Sequence, residues 1–152
     1  MAEMGEISFS VPEAAPQAIE MAPFTSSVKG LQGVAPVGWT EAGPAAYTRG
    51  NSALDETALI MDAASSTAKE LLNRLADRMG FDPNLESIGR EELGHFIWDL
   101  YTFEYQGLAI DLALAEDDGQ AYMVLLASTP DERDGLYEQV FLSAVEALAP
   151  LE

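Results

Sequence analysis

The chain has 152 residues, 26 acidic side chains against 7 basic ones and no cysteine, giving a formal net charge of −19. Such a balance repels nucleic acid and anionic lipid, which need clustered Lys and Arg, and the lack of cysteine excludes a disulfide framework, a thiolate nucleophile and a thiolate metal site. The 48% hydrophobic content and the length fit one folded domain, while the longest apolar run, Ala121 to Ala127, is far shorter than the roughly 20 residues of a membrane helix.

Residues 1 to 23 read as an arm. Met1 to Glu6 carries neither the basic nor the apolar region of an export leader, so an exported location requires a leader outside this chain. Glu6 to Val11 alternates and predicts an edge strand, whereas Pro12 to Pro23, rich in Ala, Pro and Glu, predicts a linker.

Residues 24 to 150 read as a single domain. Phe24 to Val28 and Leu31 to Ala35 predict short strands around Lys29-Gly30, followed by the turn Pro36-Val-Gly-Trp39. Thr40 to Arg49 predicts a hairpin with Tyr47 on its return, and Thr57 to Met61 a further strand after the Gly50-Asn-Ser52 loop. Thr67 with Glu70 forms a capping-box pattern. Behind it, Ala68, Leu71, Leu72, Leu75, Ala76 and Met79 recur at helical spacing up to Gly80, predicting a helix over 67–79.

Three strands then follow in succession. His95 to Tyr105 is aromatic and branched, and Gln106-Gly107 breaks it as a hairpin turn does. Leu108 to Ala115 alternates large and small residues, and the small face predicts a helix lying close above it. Asp118-Gly119 suits a tight turn into Ala121 to Ala127. A second capping box, Thr129 with Glu132, and Pro130 predict a closing helix whose stripe ends at Leu148. Tight turns between consecutive strands require antiparallel pairing. The fold class is therefore α+β, an antiparallel sheet flanked by helices.

The turn Pro36-Val-Gly-Trp39, Trp98 and Tyr101 in one strand, Asp118-Gly-Gln-Ala-Tyr122 before the last strand, and the closing helix from Thr129 to Pro150 together resemble the PsbP-like superfamily. That superfamily takes its name from a photosystem II accessory protein and includes exported bacterial lipoproteins of the LpqN type. The resemblance covers residues 24 to 150 and implies an antiparallel sheet between helices. It further implies a non-catalytic binding or accessory role in an exported, extracytoplasmic bacterial protein, fused or tethered to a partner. It transfers no catalytic residue, and the chain departs from the lipoproteins in lacking a lipobox cysteine.

Several residue groups invite chemistry. Ser66-Thr-Ala-Lys69 has the Ser-x-x-Lys spacing of penicillin-recognising enzymes without their companion motifs, and hydroxyls there equally serve a helix cap. Glu92 and His95, the single histidine, allow an alternative reading as a small hydrolase or metal-dependent enzyme using His95 and nearby carboxylates. Glu116, Asp117 and Asp118 are candidate oxygen ligands for calcium, although a solvated hairpin tip has the same composition. Trp39, Tyr47, Trp98 and Tyr101 are candidate ligand-binding residues, and the same aromatics serve a sheet core. No cofactor-binding motif is present, so the partners expected are another protein and a possible small ligand.

Overall fold

The computed structural model describes residues 19–50, 56–82, 84 and 86–150. The expected strand at Glu6 to Val11 lies outside the described residues, as do Asn51 and Ser52. In chain order the strands are β1 (Met21–Ser26), β2 (Leu31–Pro36), β3 (Thr40–Gly43), β4 (Ala46–Thr48) and β5 (Ala58–Ala64). Helix α1 (Ala68–Met79) precedes β6 (Gly89–Leu93), β7 (Phe96–Tyr105), β8 (Leu108–Asp117) and β9 (Gln120–Ser128). The closing helical region consists of α2 (Arg133–Leu136), a π-helical segment (Tyr137–Phe141) and α3 (Leu142–Ala147), and β10 (Ala149–Pro150) ends the described chain.

The fold is α+β and every strand pair is antiparallel. A seven-stranded sheet runs in the order β3-β4-β5-β9-β8-β7-β6, and a three-stranded sheet runs β1-β2-β10. The turns at Gln106-Gly107 and Asp118-Gly119 place both residues at positive φ, the geometry that a two-residue hairpin of the expected kind requires.

Burial on both faces of β8 and β9 organises the layers. Ile110, Leu112 and Leu114 meet Leu71, Leu72 and Leu75 of α1 on one side. On the other, Ala113 and Ala115 leave room for Trp98 and for Val140, Phe141, Ala144 and Val145 of the closing helical region. The small face predicted from the alternation of β8 is thus the face covered by that region. β1 and β2 join the same cover through Leu31, Met21 and Phe24.

Helix α1 forms as its sequence dictates. Thr67 accepts a hydrogen bond from the Glu70 amide and the Glu70 side chain returns to the Thr67 amide, while Gly80 closes the helix in the left-handed conformation. Those bonds to Thr67 hold the Glu70 carboxyl below the usual range.

The closing region corrects the expected cap. Thr129 is not an N-cap: its carbonyl accepts from the Glu132 amide at 3.0 Å, making a turn with Pro130 inside it, and the helix begins at Arg133. The Thr129 hydroxyl is spent on the Glu132 carboxylate at 3.2 Å rather than on a first-turn amide, and Arg49 holds that carboxylate in place through two bonds of 2.9 and 2.8 Å. The helix is also interrupted by the π-helical segment, and it stops at Leu148, after which Ala149–Pro150 pairs with β2.

One charge lies in the middle of the sheet. Asp111 is 1% exposed, and Arg133 meets it bidentately, with Nη2 to Oδ1 at 2.7 Å and Nε to both oxygens at 3.2 and 3.1 Å. The guanidinium also stands 4.6 Å from the Tyr137 ring centre. Removing one partner of a buried ion pair leaves an uncompensated charge at a cost of about 3–5 kcal/mol. Arg133→Met should therefore destabilise the fold by that order in urea unfolding, and adding Asp111→Leu should recover much of the loss.

At the tip of the β6–β7 hairpin, Gly94 has a φ of 65°, and a Cβ there would overlap the Glu146 carbonyl oxygen of α3. Gly107, also at positive φ, faces open space. Gly107→Ala should cost about 1–2 kcal/mol from backbone conformation alone, and Gly94→Ala distinctly more, measured as the difference in unfolding free energy.

Candidate functional site

Helix α1 is about 10 Å across, and strands lie about 4.8 Å apart, so one helix covers roughly two strands. Because α1 packs on β8 and β9 and Phe81 packs on Phe103 with ring centres 4.7 Å apart, the part of that face left open lies over β6 and the first half of β7. Two adjoining depressions follow that gap, of about 550 and 350 Å³, and share Ala68, Asp99 and Leu114 as lining residues. Leu114 contributes a buried floor. Ile97, 52% exposed, stands opposite Glu92 in the ladder, and Asp99 stands opposite Arg90.

Ionisable groups crowd this groove without converging. Glu92, His95, Asp99, Glu116 and Asp117 all line the larger depression. Arg90 approaches Asp99 at 3.8 Å while 70% exposed. Glu116 is committed elsewhere in part: its Oε1 accepts from the Ala68 amide at 2.8 Å, satisfying a donor at the start of α1. Among the described residues, no three His, Asp or Glu side chains gather closely enough to hold a metal ion.

The residues singled out in the sequence are distributed as follows. Glu116 and Asp117 reach the groove, whereas Asp118 sits in the β8–β9 turn. His95 occupies the β6–β7 turn, packed edge-on against Phe96 with ring centres 4.6 Å apart. Ser66 accepts from Arg74 at 2.8 Å and donates to the Thr67 carbonyl, which ties it to the start of α1.

The four aromatics do not form one pocket. Trp98 is fully buried and donates its indole N–H to the Leu93 carbonyl at 3.1 Å, joining β7 to β6 inside the core. Trp39 and Tyr47 pack partly buried against that same core, Tyr47 with its ring centre 5.6 Å from that of Phe24. Tyr101 lies across the sheet from Trp98 and alone of the four lines the groove. Ile97, Asp99 and Arg90 complete the groove although nothing in their local sequence marks them. The available signal was the alternation of β7, which sends Ile97, Asp99 and Tyr101 to the face opposite Phe96, Trp98 and Leu100.

The groove sets the Tyr101 phenol apart from a free one. Burial raises the phenol above its ordinary value, and the Asp99 carboxylate raises it further by opposing the phenolate charge. Asp99→Asn should therefore lower the Tyr101 titration midpoint, followed by NMR of the labelled ring, and leave the raised Tyr47 midpoint unmoved.

No family model and no curated protein matches this sequence. Solved structures match it in fold. The cyanobacterial PsbP (CyanoP) of Synechocystis sp. PCC 6803 aligns over 93% of this chain and 98% of its own, with 11% identity and a TM-score of 0.54. A protein from Bacteroides thetaiotaomicron aligns over 86% of this chain with 13% identity and a TM-score of 0.53. The match covers 48% of that protein, so the chain spans about half its length. The chain has a PsbP-like fold, as the sequence resemblance implies.

Proposed function

We propose that this PsbP-like domain is a non-catalytic accessory domain that binds a protein partner through the groove between α1 and the β6–β7 hairpin. The observation that carries the reading is the uncovered sheet face, where Ile97 stands half-exposed beside a buried leucine floor. An apolar side chain held on a rigid strand, with charged residues around it, is the anatomy of a protein-docking surface. The ionisable side chains there are spread along the walls, which supports binding over turnover.

The fold shared with cyanobacterial PsbP supports the accessory role, and the sequence resemblance to exported relatives is the ground for a location outside the cytoplasm. No helix among the described residues is long and apolar enough to cross a membrane.

A photo-crosslinking residue at Ile97 should yield a covalent adduct with one recurring protein in the source cells. The same residue at Val28, 77% exposed and outside the groove lining, should not. Equal adducts from both positions, or none from Ile97, would remove the groove from the function.

A further inference from the structure

We infer that the groove's occupant is an extended, basic segment of the partner that joins the seven-stranded sheet as an added strand beside β6. The inference rests on the reading of the groove as a protein-binding surface and specifies what fills it. β6 terminates the sheet on the groove side, and Arg90, Glu91 and Glu92 are exposed at consecutive positions. A terminal strand directs main-chain N–H and C=O groups away from its neighbour, and these pair readily with an incoming strand. The β6–β7 register is uninterrupted, so the edge is regular. The opposite terminal strand, β3, is four residues long with a register shift between Glu41 and Gly43, a break that blunts pairing.

The side chains an added strand would need follow from what it meets. Every second residue would stand on the groove face beside Arg90 and Glu92 of β6, with Ile97 and the Asp99 carboxylate one strand further in. Arg90 offsets part of that charge through Asp99. The surplus is negative, and the chain as a whole carries a formal −19. Lys or Arg alternating with branched apolar residues answers both features, and the long-range field speeds association with such a segment while repelling acidic ones.

A second copy of the chain fits less well. Two-fold pairing of β6 with itself centred on Glu91 would oppose two Glu91 carboxylates and join two chains of the same high charge. The Arg90–Glu92 cross-pairs it would gain are exposed, and such pairs contribute little.

The test uses the full chain, labelled with nitrogen-15, and short acetylated peptides alternating Lys with Val, against matched peptides carrying Glu in place of Lys. The Lys peptide should slow amide exchange and shift resonances along residues 89–93. Its affinity should fall about tenfold or more from 0.01 M to 1 M salt, as the screening length shrinks from roughly 30 to 3 Å. The Glu peptide should not bind. Glu92→Lys with Ile97→Lys should abolish binding, and the milder Glu92→Gln should weaken it with the melting temperature unchanged.

Protection at β3 in place of β6, equal binding of both peptides, or β6 protection that tracks self-association in sedimentation would each overturn the inference. If Ile97 crosslinks a partner but the Lys peptide leaves β6 unprotected, the added basic strand is wrong and the docking groove stands. If neither occurs, both fall.

Discussion

Six consecutive buried residues in β8, Ile110 to Ala115, set the terms for everything around them. A strand without an exposed face must be covered from both sides, and its two faces ask for different covers. The branched face of Ile110, Leu112 and Leu114 interdigitates with the leucines of a three-turn helix. The opposite face is shallow at Ala113 and Ala115, so bulk comes from Trp98 on the neighbouring strand and Phe141 from above. Asp111 interrupts that face with a charge, and its burial obliges the chain to bring a guanidinium to it. The closing helical region is thereby anchored at its first residue, Arg133, and aligned along the sheet.

The same demand explains the open groove. A twelve-residue helix suffices for the two central strands, and the chain supplies no second helix on that face among the described residues. β6 and the first half of β7 consequently keep one open face, and the side chains there are mixed in character: Ile97 exposed and apolar, Tyr101 aromatic and partly buried, Arg90, Glu92 and Asp99 charged. A purely structural edge has no need of a half-exposed isoleucine. This combination of regular backbone and mixed side chains is what a partner can exploit.

Much of this was legible in the sequence, for reasons that differ by element. The alternation of β8 reports its two covers directly, and α1 is marked at both ends by Thr67, Glu70 and Gly80. β6 was not legible: Gly-Arg-Glu-Glu-Leu lacks the branched and aromatic residues that mark a strand, because it is an edge built to face water. The Thr129 cap failed because its hydroxyl donates to the Glu132 carboxylate, which Arg49 holds from a distant part of the chain, instead of serving a first-turn amide. The π-helical segment at Tyr137–Phe141 has no local signal; it coincides with the stacking of Arg133, Tyr137 and Phe141. Of the groove, Lys69, Glu92, His95, Tyr101, Glu116 and Asp117 were among the candidates, but Arg90, Ile97 and Asp99 were not. The reason is that which strands a helix leaves bare depends on packing across the whole sheet, not on any stretch of the chain.

The order of pairing also governs how the molecule can assemble. β5, from before α1, docks on β9, and β2 is closed by β10 near the end of the described chain. Neither sheet can be completed by a growing chain until its late residues are available. Contacts so distant along the chain impose a loop-closure cost before any of them is rewarded, and that cost slows the completion of both sheets. During that interval β5 and β9 present unpaired, apolar edges to the surroundings. The strong negative charge then has a second use: it keeps half-folded copies apart while their sheets are still open.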